Sequence, residues 1–153
     1  MPTLQNLPAA PRAGIWSRIK INFTTLCLAQ GLYYLLTGIW PLLSLDTFEA
    51  VTGRKYDDWL VKTVGSLVLV QGAVFLIAAW RRSTAPEVAV LAIGSACMLV
   101  LVDVIYVSER AISPVYLLDA AVQVALIVGW LRYFTLERRA DLPPPPTIPP
   151  RPV

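Results

Sequence analysis

Histidine is absent from the 153-residue sequence, and cysteine occurs only twice. The absence of histidine removes the usual ligand of haem b, the commonest zinc and copper ligand, and the usual proton shuttle near neutral pH. Cys27 and Cys97 lie far apart in separate apolar runs, so they form no C-x-x-C pair and are predicted to be buried thiols. We therefore expect no metal, haem or other cofactor.

Charged residues are also scarce, at 15% of the sequence, whereas apolar residues make up 56%. Soluble domains average about 25% charged and about 45–50% apolar residues, so this composition indicates a membrane protein with the lipid bilayer as its surroundings. The 13 Lys and Arg stand at the ends of apolar runs and form no basic patch, which argues against a nucleic-acid partner. Phosphate-binding loops, metalloprotease motifs and nucleophile elbows are missing too.

Four apolar runs approach the length of about 20 residues that a membrane-spanning helix needs. Their predicted bounds are 23–43, 60–80, 88–106 and 115–131. Short connections between the later runs predict antiparallel neighbours. The predicted fold is an all-α, integral membrane, antiparallel four-helix bundle over residues 21–134, between an N-terminal segment (1–20) and a proline-rich tail (135–153).

Local signals mark the ends of these runs. The longest connection contains Asp46 and Glu49 at capping-box spacing and then Gly53 as a terminator, which predicts a short interfacial helix, with an irregular loop as the alternative. Lys and Arg are distributed nine to four between the two sides of the predicted membrane domain. By the positive-inside rule, both termini are predicted to be cytoplasmic in a multi-pass protein of the inner (plasma) membrane.

Polar residues inside the apolar runs are the candidates for chemistry, because each needs a partner within the membrane. Lys62, Asp103 and Asp119 are predicted to share the outer half of the bilayer and to form one cluster. Helical spacing adds three side chains to the same faces: Tyr106, Tyr116 and Gln123. The cluster can be read as a polar cavity for a cation, an amine or a polar head group, or as a structural pairing between helices.

Glycines provide a structural signal. Gly31 and Gly38 are seven residues apart in the first run, and Gly65 and Gly72 have the same spacing in the second. Such stripes let two helix backbones approach closely, which predicts that the first two spanning helices pack together there. A homodimer face is the alternative use.

Two stretches resemble a group of short bacterial four-helix membrane proteins. The first is Trp40-Pro-Leu-Leu-Ser-Leu45 with Phe48 to Lys55 and Trp59 to Gly65, and the second is Asp103-Val-Ile-Tyr106 with Ile112 to Asp119. In size and helix number the chain is also similar to DoxX-like proteins, and that similarity implies an association with respiratory or redox membrane complexes.

We predict a non-enzymatic role, as an accessory subunit of a membrane complex or as a small ligand-binding bundle. The alternatives are a small transporter or proton-coupled carrier that uses Asp103 and Asp119 and, third, a membrane enzyme. A membrane-protein partner or a homo-oligomer is compatible with each of these roles.

Overall fold

The computed structural model describes residues 22–140, with side chains as far as Leu136, and this part of the chain contains five α-helices and no strand. The helices are α1 (Phe23–Leu43), α2 (Leu45–Thr52), α3 (Asp58–Trp80), α4 (Pro86–Ser108) and α5 (Tyr116–Ala140). All but α2 are long and apolar enough to cross a membrane. The prediction of an all-helical chain with four such helices is confirmed. The predicted segment 1–20 and the tail beyond residue 140 lie outside the described residues.

The helix bounds follow the apolar runs closely except at the end of α5. That helix continues to Ala140, whereas the apolar run predicted an end at residue 131. Residues 132–140 include Arg, Leu, Glu and Ala, which favour a helix although several are too polar for hydrocarbon, and the first proline of the tail is Pro143. Residues 135–140, predicted to belong to the tail, are therefore helical.

The short helix α2 confirms that the longest connection contains a helix rather than an irregular loop. It ends at Gly53, which has a φ of 86° and so occupies the left-handed region that glycine adopts without strain. The predicted capping box is wrong, because the helix begins after Ser44 rather than Asp46. The Glu49 carboxylate accepts a hydrogen bond of 2.8 Å from the backbone N–H of Lys55 and so holds the loop that follows.

Glycines bring α1 and α3 into backbone contact. A Cβ atom on Gly38 would lie 2.5 Å from the backbone nitrogen of Leu69 and 2.7 Å from the carbonyl oxygen of Gly65. One on Gly72 would lie 2.6 Å from the backbone nitrogen of Leu35 and 2.9 Å from the carbonyl oxygen of Gly31. Gly38 therefore faces Gly65 while Gly31 faces Gly72, and the two helices run antiparallel. The predicted packing of the first two spanning helices is confirmed.

The other long helices form a second pair, α4 with α5. Contacts between α3 and α4 are sparse although these helices are consecutive, so the two pairs meet mainly through α1. At that junction Trp130 of α5 is fully buried and packs edge-on against Phe23 of α1, with ring centroids 5.0 Å apart. This arrangement leaves a cavity and a groove between the pairs.

Candidate functional site

A cavity of about 490 Å³ lies where the C-terminal half of α1, the helix α2 and the beginning of α3 meet the end of α4 and the beginning of α5. Most of its walls are aliphatic or aromatic, and its polar side chains include Tyr33, Thr37, Asp103, Asp119 and Gln123. Ligand pockets in proteins typically measure about 300–1,000 Å³ and combine apolar walls with a few polar groups. The cavity has the size and the polarity to hold an amphipathic small molecule.

Asp119 receives hydrogen bonds from two helices. Its Oδ1 atom accepts from the hydroxyl group of Tyr33 on α1 and from Nε2 of Gln123 on α5, at 3.3 Å for the second. The Oε1 atom of Gln123 accepts in turn from the hydroxyl of Tyr34 at 3.1 Å. An ionised carboxylate only accepts, so the amide must present its nitrogen to Asp119. Tyr33 and Gln123 therefore both donate to the same oxygen of Asp119.

Asp103 lacks such support. Its side chain is 4% exposed, and its Oδ2 atom has no hydrogen-bond partner in the described part of the chain. The Asp103 carboxyl group lies near that of Asp119 in the wall of the same cavity, and two ionised carboxylates cannot donate hydrogen bonds to each other. No lysine or arginine among the described residues lines the cavity. Two ionised carboxylates in one cavity wall, one buried and one half-buried, repel each other, and a proton or a cation between them would relieve that repulsion.

The structure brings together only part of the predicted cluster. Asp103, Asp119, Gln123 and Tyr116 all line the cavity, whereas Lys62 and Tyr106 do not. Lys62 is exposed and forms no ion pair with any residue that the structure describes. Tyr106, in the last turn of α4, is 46% exposed and forms no side-chain hydrogen bond within residues 22–136. The lysine does not neutralise the carboxylates.

The rotation of α3 explains the position of Lys62. Side chains advance by about 100° per residue around a helix, and the stripe containing Gly65 faces α1. Val61 and Val68 lie on one side of that stripe and line the cavity. Lys62 lies on the other side, away from α4 and α5.

Sequence reasoning missed Tyr33 and Tyr34. Tyr33 lines the cavity and donates to Asp119, and the fully buried Tyr34 donates to Gln123. A signal was available, because a phenolic hydroxyl in the middle of an apolar run must find a buried partner. Both tyrosines stand in such a position in α1.

The rim of the cavity already holds an ammonium group. The Nζ atom of Lys55 lies 4.8 Å from the centroid of the Tyr116 ring and donates to the carbonyl oxygen of Thr52 at 3.2 Å. Aromatic faces attract cations through the ring quadrupole. The cavity mouth therefore presents a surface that is compatible with positive charge.

A second polar network joins α1, α4 and α5, and none of its residues lines the cavity. Trp130 Nε1 donates to Gln30 Oε1 at 2.9 Å, and Gln30 Nε2 donates to the carbonyl oxygen of Ala92 at 2.8 Å. These bonds connect α1, α4 and α5 through side chains that are fully buried. An indole N–H can only donate, so Trp130 cannot pass a proton onward. This network is structural.

A groove of about 500 Å³ lies between α3 and α4, outside the cavity. Its wall includes Gln71, whose Oε1 atom is buried without a hydrogen-bond partner among residues 22–136. Three aliphatic side chains line both the groove and the cavity: Val64, Val68 and Leu99.

Two carboxylates are a small donor set for a metal, since hard cations take about six oxygen ligands in proteins. Within the described residues, no group of three or more His, Cys, Asp or Glu side chains could hold a metal ion. No family model, curated protein or solved structure matches the chain. The function must be inferred from the cavity itself.

Proposed function

We propose that this protein is a non-enzymatic integral membrane protein that binds an amphipathic small molecule in the cavity between its two helix pairs. The observation that carries the proposal is the Asp103 carboxylate, which is buried at the wall of a largely apolar cavity with one oxygen unpartnered among the described residues. A ligand with an apolar body and one polar group would fill the cavity and complete the hydrogen bonding of that oxygen.

In the proposed arrangement the four long helices form an antiparallel bundle embedded in the inner (plasma) membrane. Large apolar side chains on the outward faces support this, with Leu36, Leu43 and Val70 between 60% and 77% exposed. The nine-to-four distribution of Lys and Arg supports cytoplasmic termini. The cavity then lies in the outer half of the bilayer.

A purely structural role for the two carboxylates is less well supported. In a membrane, an interhelical hydrogen bond is worth about 0.6 kcal/mol on average, whereas a charge at mid-depth costs about 2.5–3.5 kcal/mol. A structural pair in which both carboxylates are ionised would need a basic side chain beside it, and Lys62 makes no such contact. Nor does a structural role account for the cavity beside Asp103.

The test is photolabelling in lipid nanodiscs with dodecanol that carries a diazirine in its alkyl chain. Saturable labelling of the peptides that contain Val61, Val102 and Leu118, which line the cavity, is expected. Val61→Trp should abolish the saturable fraction by filling the cavity. Val74→Trp is the matched control on α3, because Val74 is 39% exposed and lines neither the cavity nor the groove. Non-saturable labelling that is equal in both variants would refute ligand binding.

A small proton-coupled carrier is the second candidate. It is favoured by the proximity of Asp103 and Asp119, since two carboxylates that share a proton can exchange it for a substrate. Proteoliposomes with a pH gradient would reveal it as a proton flux that Asp103→Asn abolishes. The accessory-subunit role and the resemblance to DoxX-like proteins stay predictions.

A further inference from the structure

We propose that the ligand is a lipophilic monocation, such as a hydrophobic amine or a quaternary ammonium or phosphonium ion, whose charge replaces a proton shared by Asp103 and Asp119. This inference rests on the proposed function and assigns the chemical class of its ligand. The Asp103 side chain, 4% exposed and with Oδ2 unpartnered among the described residues, points to a missing donor or positive charge in the cavity.

The charge of the site follows from the groups that face it. From α1 come Tyr33, which donates to Asp119, and Tyr34, which reaches the pair through Gln123. From α4 and α5 come the two carboxyl groups themselves. The cavity-lining residues of α2 and α3 carry no charge, and Lys55 stays at the rim over the Tyr116 ring. With one shared proton the site has a net charge of −1, and exchanging that proton for one monovalent cation leaves the net charge at −1.

The cavity walls select against a small hydrated ion. Aliphatic side chains of α3, α4 and α5 surround the carboxylates, among them Val61, Val102 and Leu118. Such walls cannot replace the water of a bare metal ion, but they gain free energy by burying an apolar body. The ring of Tyr33, which also lines the cavity, adds an aromatic surface that attracts a cation with a diffuse charge.

Isothermal titration of the full chain in zwitterionic nanodiscs tests this with tetraphenylphosphonium and its isosteric anion tetraphenylborate. We expect saturable binding of the cation alone. Because each bound cation releases one proton, its affinity should rise with pH, approaching tenfold per pH unit. Asp103→Asn should weaken binding at least tenfold and remove the pH dependence. Asp46→Asn, which alters an exposed carboxylate on α2, should change neither.

Equal binding of the two probes would overturn the inference, as would unchanged cation affinity in Asp103→Asn. The dodecanol photoprobe separates this failure from that of the proposed function. If dodecanol still labels the cavity saturably while tetraphenylphosphonium does not bind, the assignment of a cationic ligand is refuted and the proposed binding function is not. If dodecanol labelling is also absent, the binding function itself falls. Saturable dodecanol labelling of Asp103→Asn also shows that the variant is folded.

Discussion

The hydroxyl group of Tyr33 on α1 donates a hydrogen bond to the Asp119 carboxylate on α5, 86 residues later in the chain. This bond joins the α1/α3 pair to the α4/α5 pair at the cavity wall. Through Asp119 the bond is also linked to Gln123, which accepts a hydrogen bond from Tyr34.

Tyr33→Phe should lower the free energy of unfolding by about 1–2 kcal/mol, because it removes a donor to the half-buried Asp119 carboxylate. Unfolding in mixed micelles measures the change. A double-mutant cycle with Asp119→Asn should be non-additive. Tyr56→Phe is the control, since that side chain is fully exposed. Equal effects of Tyr33→Phe and Tyr56→Phe would show that the bond does not stabilise the fold.

Gly38→Ala should destabilise the protein by about 1–3 kcal/mol, because its Cβ would meet the backbone nitrogen of Leu69 at 2.5 Å. Gly94→Ala on α4 is the matched control, with no atom within 4 Å of its Cβ position. The control should be neutral or stabilising by up to about 1 kcal/mol, since alanine favours helices. Thermal unfolding in detergent distinguishes the two variants. A stable Gly38→Ala would contradict the close α1–α3 contact.

Trp130→Phe should cost about 1–3 kcal/mol, because it leaves the buried Oε1 atom of Gln30 without its donor. The control is Trp80→Phe, where the indole is 85% exposed. Denaturation followed by circular dichroism reports both variants. Equal stability of the two would mean that the second polar network contributes little.

Lys62→Met should change stability by less than about 0.5 kcal/mol, since the ammonium is exposed and unpaired with any described residue. Asp103→Asn should cost the same free energy of unfolding in the Lys62→Met background as in the native sequence, and chemical denaturation of the four proteins measures this. A non-zero coupling energy in this cycle would support the ion pair that the sequence suggested and contradict the structure.

The proposed orientation predicts the labelling of single cysteines by an impermeant maleimide in intact spheroplasts, after replacement of Cys27 and Cys97. A cysteine introduced at Tyr56 should react from outside, because the α2–α3 connection is proposed to face outward. A cysteine introduced at Thr84, between α3 and α4, should react only after permeabilisation. The reverse pattern would invert the topology.

The sequence was sufficient for the helices and for the α1–α3 contact. Apolar run length and the spacing of Gly31, Gly38, Gly65 and Gly72 are local properties that specify both features. The side of α3 against which α4 and α5 pack is not determined by local sequence. Whether Val61 or Lys62 faces the carboxylates depends on the side of the glycine stripe on which α4 and α5 lie, and no residue in α3 specifies that side. For this reason Lys62 was predicted to join Asp103 and Asp119, whereas Val61 lines the cavity in its place.

Val64, Val68 and Leu99 line both the cavity and the groove between α3 and α4. The partition between these two spaces thus contains aliphatic side chains, which change rotamer without breaking any hydrogen bond. Contacts between α3 and α4 are sparse, so little packing opposes a separation of these helices. In a bilayer the groove would face the acyl chains. A hydrophobic ligand dissolved among those chains would enter laterally between α3 and α4 and would reach the carboxylates without first passing through water.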